Sequence, residues 1–326
     1  MKAILVTGGA GFVGSHTCKA LANAGYLPVV FDNLEQGHER AVKWGPLEHG
    51  DLRNSDNLNR VFTSYNPWAV IHFAAYAYVG ESVNDPAKYY DNNVGGTAKL
   101  VAACAAHGCG HVVLSSSCAT YGIPERLPLT EDSVQQPVNP YGYTKLVVER
   151  LLKDAEKAYG LRNVCLRYFN AAGADPEGEL GEGHDPETHL IPLVLFAAMG
   201  RRPLVEVFGN DYPTPDGTCI RDYVHVSDLA QAHVASLEWL AADKPSLVLN
   251  LGSGRGFSVA EVIKTVEKVT SRQVPVKVGA RRPGDPAVLV SDSRKASNLL
   301  GWAPKFPKIE EQIVHAWRWF KEDKEF

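Results

Sequence analysis

The sequence predicts an α/β fold: a doubly wound parallel sheet with helices on both faces, and a smaller α/β C-terminal lobe interleaved with it. Three observations carry this. Over residues 1–170 short apolar runs alternate with segments of helical periodicity, and no hairpin signal intervenes; that is the pattern of parallel strands joined by crossover helices. The runs themselves are almost continuously apolar, as strands buried on both faces are. The first of them, "KAILV", leads through the glycines of "TGGAGFVG" straight into a helix.

Each element has its own reason. "FVGSHTCKALANAG" has helical periodicity and closes on Gly25, a residue suited to a helix C-terminus. "LPVVFDN" is a second strand and "LEHGDLRN" holds a short third. "SDNLNRVFTSY" reads as a helix with Ser55 as N-cap. "WAVIHFAA" is the fourth strand. "DPAKYYDNNVGGTAKLVAACAAHG" reads as one long helix with Pro86 in its first turn. "HVVLSSS", "NPYGYTKLVVERLLKDAEKAYG" and "RNVCLRYFN" follow as strand, helix and strand. Past Asn170 the texture changes to a long acidic loop rich in glycine and proline, "AAGADPEGELGEGHDPETH", and unstructured connections of that length are usually functional. Helix "IPLVLFAAMG", strand "LVEVFG" and a second loop, "NDYPTPDGTCIRD", come next. Helix "VSDLAQAHVASLEWLAA", strand "LVLNLG", helix "SVAEVIKTVEKVT", strand "VPVKVG" and a terminal helix complete the chain. Residues 1–170 are read as one domain and 171–326 as mainly a second. Residues of about 222–252 are expected to pack back on the first, since "SLVLNLGSG" has the character to extend its sheet.

Composition narrows the class. Of 326 residues 45% are hydrophobic and 21% charged, and the formal net charge is -4. The balance suits a globular enzyme and offers no basic surface for nucleic acid or anionic membrane. The N-terminal apolar run is too short for a signal segment, and "LIPLVLFAAMG" is far short of a bilayer span. Six cysteines lack paired spacing and are read as reduced thiols in a cytoplasmic protein. Cys104, His107, Cys109 and His111 in "CAAHGCGH" have metal-like spacing, but a helix end turning at Gly108 into a strand would splay them. No metal is expected.

A dinucleotide site is indicated at the first turn. Gly9, Gly11 and Gly14 form G-x-G-x-x-G between a strand and a helix, the context in which that motif cradles a pyrophosphate on a helix N-terminus. This makes the sheet Rossmann-type. Asp32 ends the second strand about 20 residues on, where a carboxylate binds ribose hydroxyls and repels a 2′-phosphate. NAD is therefore favoured over NADP.

Tyr141 and Lys145 lie four residues apart on one helix face. The spacing is common; the place is not. The pair follows the fifth strand, and Ser117 in "SSSCATYG" stands at the C-terminal end of that strand, the edge where open α/β sheets bind ligands. A phenol near an ammonium and an oxidised nicotinamide is drawn toward phenolate, and can take a proton from a sugar hydroxyl while hydride leaves the same carbon. Ser117 either orients that hydroxyl or caps a turn.

Nearly the whole chain also resembles the UDP-glucose 4-epimerase family of extended short-chain dehydrogenases/reductases. The resembling segments include "TGGAGFVGSHTC", "FDNL", "GDLRN", "IHFAA", "YYDNNVGGT", "SSSCATYG", "NPYGYTK", "LRYFNAAGA", "FGNDYPTPDGTCIRDYVHV", "NLGSG" and "RRPGD", in family order. The resemblance implies tightly held NAD that is not consumed, Tyr141 as the base, and Lys145 on the nicotinamide ribose. It places Gly8, Gly11, Phe12, Val13, Gly14, Asp32, Asn33, Leu34, Gln36, Gly37, Asp51, Leu52, Phe73, Ala74, Ala75, Ala77, Asn92 and Phe169 around the cofactor, with Tyr141 and Lys145. The UDP-sugar would lie against Ser117, Tyr141, Asn170, His189, Leu190, Phe208, Arg221, Tyr223, Arg282, Asp285 and Leu289. The expected reaction is reversible inversion at C4 of UDP-glucose and UDP-galactose through a 4-keto sugar; UDP-pentose or UDP-N-acetylhexosamine substrates are the alternative. The family commonly forms homodimers. Four positions depart from its commonest pattern: Ala77 stands in place of a lysine, Ala119 in place of a hydroxyl residue, His189 in place of an asparagine, and Leu289 where size is thought to select the sugar. Dehydratase relatives carry an acidic pair after the active-site hydroxyl, whereas Cys118 and Ala119 follow Ser117 here. A binding protein without turnover would be free to lose Tyr141, Lys145 or Ser117, and all three are present.

Overall fold

The computed structural model describes residues 1–282 and 284–322. Its strands in chain order are β1 (Ala3–Thr7), β2 (Leu27–Asp32), β3 (Leu47–His49), β4 (Ala69–His72), β5 (His111–Ser117), β6 (Arg162–Tyr168), β7 (Asn170–Ala172), β8 (Val205–Phe208), β9 (Ile220–His225), β10 (Leu247–Leu251), β11 (Gly256–Ser258), β12 (Val276–Gly279) and β13 (Val288–Leu289). Seven of them form a parallel sheet in the order β10-β6-β5-β4-β1-β2-β3. The order reverses between β1 and β4, and ligands of doubly wound sheets bind in the crevice at that point.

The helices are α1 (Phe12–Asn23), α2 (Ser55–Tyr65), α3 (Val79–Asn84), α4 (Pro86–Tyr89), α5 (Thr97–Ala106), α6 (Pro140–Tyr159), α7 (Leu190–Met199), α8 (Val226–Ala241), α9 (Val259–Thr270), α10 (Arg294–Leu300) and α11 (Ile309–Lys321). Leu21 of α1, Leu229 and Leu237 of α8 and Ala296 of α10 share one core with Ile4, Val6 and Val30 of the sheet. Leu58 and Phe62 of α2, Leu100 of α5 and Val148 and Leu152 of α6 share the core on the other face. Each such Leu, Ile, Val or Phe side chain, taken fully out of water, contributes about 1.5–3 kcal/mol before entropy is charged against it. A separate core joins α7, α9 and α11. It lies under the two small sheets, one in the order β11-β9-β13 with β7 also pairing β9, the other β8-β12.

Most predicted elements form where expected, β10 included: it extends the large sheet alongside β6, and α8 covers it on the α1 face. Three differences have physical reasons. Asn54, not Ser55, caps α2, its side chain accepting from the amides of Asp56 and Asn57. The long helix over 86–106 is not uniform; Tyr90–Gly96 between α4 and α5 is π-helical, a widened turn that recurs at functional sites. "CIRDYVHV", expected as loop running into helix, contains β9. The strand β9 and its partners β7, β11 and β13 escape sequence reading because the partners are very short and all four pair with distant chain.

At "CAAHGCGH" the side chains part as the helix-end geometry requires. The Cys104 and Cys109 thiols contact each other in the core. His107 instead stacks on Phe62 at 5.4 Å between ring centroids, and His111 lies against Trp68 at 4.6 Å. Among the described residues no helix is long and apolar enough to cross a membrane. Pro283 of "RRPGD" and residues 323–326 of the terminal "KEDKEF" lie outside the described residues.

Candidate functional site

The crevice between β1 and β4 is shaped by glycines. Gly8 adopts φ 71, and a Cβ there would come within 2.6 Å of the Ala74 nitrogen. A Cβ on Gly14 would collide with the Gly8 carbonyl. The amides of Phe73 and Ala74 donate to the Thr7 carbonyl at 2.9 and 3.1 Å, which ties the β4 end to the β1 end. Gly11 is the N-cap of α1, with no side chain capping the first amides. Those N–H groups and the helix dipole are available to an anion. The cradle therefore fits a pyrophosphate on this chain's own geometry.

Around it, Asp32 accepts from the Ala10 amide at 3.0 Å and the Leu34 amide at 2.9 Å. Burial raises its carboxyl, and these two donors pull it back. Leu34 stands at φ 58, a left-handed conformation that costs a leucine about 1–3 kcal/mol and persists where the surroundings impose it. Gly37 packs against Ala10 and the Asp32 carboxylate. Asn33 donates to Asp51 at 3.2 Å, while Arg53 grips the same carboxylate with Nε at 2.9 Å and Nη2 at 2.7 Å. That pairing holds Asp51 down to about 2. Gln36 accepts from Tyr78, Leu52 packs under Gly96, and Asn92, in the π-helical turn, donates to Asn93 at 3.1 Å. Phe12 and Val13 open α1, and Ala75 and Ala77 lie in the turn after β4, Ala77 exposed.

Tyr141 and Lys145 sit in the first turns of α6, which is started by Pro140 and capped by Asn139 accepting from Gly142 at 2.9 Å. Ser117 stands beside the Tyr141 phenol and favours its ionised form. It also accepts from the Ala119 amide at 3.1 Å, so Ser117 both caps a turn and meets the tyrosine. The neighbouring Thr120 hydroxyl donates to the Ser117 carbonyl at 3.0 Å and so does not replace the hydroxyl missing at Ala119. Lys145 Nζ donates to the Ser115 carbonyl at 2.8 Å and lies 5.9 Å from the Tyr141 ring centre. Burial pushes the phenol up to about 12, opposed by the neighbouring Ser117 hydroxyl. Burial also pushes the Lys145 ammonium down to about 8, opposed by Glu149. The lysine by itself does not overcome the desolvation of the phenol.

Of the residues expected at the sugar nucleotide, Asn170, Arg221, Tyr223 and Leu289 lie on β7, β9 and β13, Phe208 ends β8, Leu190 opens α7, and Arg282 and Asp285 lie between β12 and β13. Asn170 Nδ2 donates to the Asp222 carbonyl at 2.9 Å and pairs in register with Tyr223, which is buried. Leu289 is opposite Arg221 and packs on Cys118, Tyr121, Leu129 and Phe169. Arg221 forms an ion pair with Asp285, and the Arg282 guanidinium lies 3.9 Å over the Phe208 ring. Two expected phosphate and ribose contacts, Arg221 and Asp285, thus engage each other. His189 occupies the N-cap position of α7 ahead of Leu190 without a capping side-chain bond, and its ring is paired with Glu182 rather than with this group.

Residues 4–252 match the NAD dependent epimerase/dehydratase family. The chain is 52% identical over 318 residues to the UDP-glucose 4-epimerase of Rhizobium leguminosarum bv. trifolii, covering 98% of this chain and 97% of that one. The chain belongs to the NAD-dependent epimerase/dehydratase family. Among solved members, the UDP-glucose 4-epimerase from Brucella ovis in complex with NAD superposes with a TM-score of 0.96 at 54% identity, covering 98% of each chain. The enzyme from Bifidobacterium longum in complex with NAD+ and UDP superposes with a TM-score of 0.94 at 40% identity, over 99% of each chain.

Sequence reasoning missed several residues that hold this epimerase-family site together. Asn93 accepts from the Tyr76 amide at 2.9 Å and donates to the Tyr76 carbonyl at 3.0 Å and to Thr144 at 3.1 Å, which clamps the turn after β4 to α6. His72 bridges Thr7 and Thr97 at 2.7 and 2.8 Å, and burial pushes it down to about 3, so it is neutral. Glu149 receives Arg167 at 2.9 and 2.6 Å and Ser116 at 2.5 Å, all buried behind Lys145. The available signal was a polar residue on an apolar helix face or strand, which marks a buried partner without naming it.

Proposed function

We propose that this chain interconverts UDP-glucose and UDP-galactose by inverting C4 of the sugar. The observation that carries the reading is the meeting of Ser117, Tyr141 and Lys145 beside the β1–β4 crevice. NAD, when bound, supplies a hydride acceptor that can return what it takes, so the sugar is oxidised and reduced with no net change. Tyr141 would take the proton of the 4-hydroxyl and later return it. Ser117, beside the phenol, would orient that hydroxyl and relay its proton. Lys145 would hold the cofactor ribose and keep a positive charge near the phenol. A 4-keto sugar that presents its opposite face before hydride and proton are returned would be released with C4 inverted.

Residues 1–170, with about 222–252, would hold NAD, contacting it through the residues named above; 171–326 would mainly hold the sugar nucleotide. Arg221 and Arg282 suit a diphosphate, each being a planar multivalent donor. Binding would require Arg221 to exchange Asp285 for phosphate, leaving that carboxylate to a ribose hydroxyl. We infer a homodimer from Val79, Val83, Tyr90, Tyr143 and Val147, large apolar side chains exposed on α3, the π-helical turn and α6. A cytoplasmic location accords with six unpaired cysteines.

The test is purified protein incubated with UDP-glucose or UDP-galactose and no added cofactor, with both sugars followed. Interconversion to a common equilibrium mixture is expected. Tyr141→Phe should retain NAD and substrate binding and lose at least about 100-fold in turnover, the usual share of a general base. A Tyr141→Phe enzyme of near-normal rate would remove the tyrosine from the reaction.

A further inference from the structure

The loop ahead of α7 brings together four side chains that the reaction above does not use as a group: Glu182, His184, Glu187 and His189. We propose that they form a binding site for one first-row divalent transition metal ion, of the Zn2+ type.

One donor atom from each residue lies within 4.8 Å of all the others. His184 Nδ1 is 3.0 Å from Glu182 Oε1 and 3.8 Å from Glu187 Oε2. His189 Nδ1 contacts the same Glu182 oxygen and is 3.5 Å from Glu187 Oε1. The two imidazoles thus turn the same ring nitrogen toward the same pair of carboxylates. Ligands about 2.0–2.1 Å from a tetrahedral ion stand roughly 3.3 Å from one another. To reach that spacing His184 and Glu182 need to part by a few tenths of an ångström, the Glu187 oxygens to close on the two rings by up to about half an ångström, and His189 to draw back from Glu182 by nearly an ångström.

The second observation is Glu187 itself. Its side chain is 6% exposed, its Oε1 accepts the Thr188 and His189 amides at 2.7 and 2.8 Å, and its Oε2 is buried with no hydrogen-bond partner. A buried carboxylate oxygen without a donor is costly. This one faces the His184 ring at 3.8 Å, beyond hydrogen-bond reach, and an ion among the four donors would satisfy it.

Two imidazole nitrogens and two carboxylate oxygens suit Zn2+ and its neighbours, whereas Mg2+ and Ca2+ prefer all-oxygen sets. His189 is exposed enough to admit an ion: its side chain is 48% open. Metal binding is an exchange in which each imidazole yields its Nδ1 proton to solvent as the ion takes its place. The Nε2 edge of His189 stays free, so the site is compatible with a sugar nucleotide beside that ring. The ion would clamp the loop to the first turn of α7, and the loop already leans on the cofactor cradle through the His184 ring against Phe12, 6.2 Å between centroids.

The test uses untagged, full-length protein equilibrated with Zn2+ alone, dialysed against metal-free buffer and assayed for metal per chain. It is repeated with Co2+, whose visible absorption reports the donor set. One ion per chain is expected, with a cobalt spectrum of nitrogen and oxygen ligation. His184→Ala and the isosteric Glu187→Gln should each weaken binding by more than the roughly 10–100-fold that loss of an outer-shell partner costs; His107→Ala should leave it unchanged. Substoichiometric retention by the wild-type chain overturns the proposal. So do a cobalt spectrum showing thiolate ligation and undiminished binding in Glu187→Gln.

Discussion

At Tyr141 burial pushes the phenol up to about 12, so the chain's own groups leave it protonated at neutral pH. In the proposed reaction the charge that favours phenolate would come from Lys145 and the bound nicotinamide together. Lys145 is pushed down to about 8; its ammonium is present below that pH and fades above it. Removing it raises the phenol further, because an opposite charge stabilises phenolate. Lys145→Ala should therefore move the rising limb of the pH–rate profile to higher pH and lower the rate at pH 7. A superimposable profile would show that the lysine does not act on the tyrosine. Ser117, Tyr141 and Lys145 were legible as a set because two share a helix face and the third ends the preceding strand. The direction of the phenol's shift was not, since desolvation depends on everything packed around the ring.

The fingerprint turn and the α6 anchor dominate at the scale of elements. Gly14→Ala places a methyl group against the Gly8 carbonyl; overpacking of this kind costs about 1–3 kcal/mol. It should lower Tm and reduce the NAD that copurifies with the protein, and a variant with full cofactor content would show that the turn yields. Behind α6, Glu149 and Arg167 are buried to 7% and 4% side-chain exposure. Removing one partner leaves the other charged and unpaired, at a cost of about 3–5 kcal/mol. Glu149→Ala should therefore unfold at markedly lower denaturant than the wild type, and Glu149→Gln should recover part of the loss. An unchanged midpoint in Glu149→Ala would mean that Arg167 finds another acceptor. The β1-α1 turn and α6 were readable because glycine, proline and capping asparagine act on their immediate neighbours. The π-helical turn at Tyr90–Gly96 was not, because helical periodicity does not register one extra residue in a turn.

Taken as a whole molecule, the chain leaves an apolar face on α3 and α6 and threads α8 and β10 back onto the first lobe. If that face joins two copies, Val147→Glu should shift the molar mass in light scattering from dimer toward monomer while circular dichroism stays unchanged. A wild-type protein monomeric at micromolar concentration would refute the dimer. The alternation of strands and helices, the glycine cradle, Asp32 at the end of β2 and the Tyr141–Lys145 spacing were determined by the sequence alone, because each depends on residues within a turn or two of one another. Only the tertiary structure decided that Arg221 meets Asp285 across 64 residues, that Arg167 meets Glu149 and that β10 joins β6. It likewise decided that Glu182, His184, Glu187 and His189 converge. Those pairings depend on how packed layers set distances between remote segments and on which charges burial forces to find partners, and neither quantity is written in any local stretch of chain.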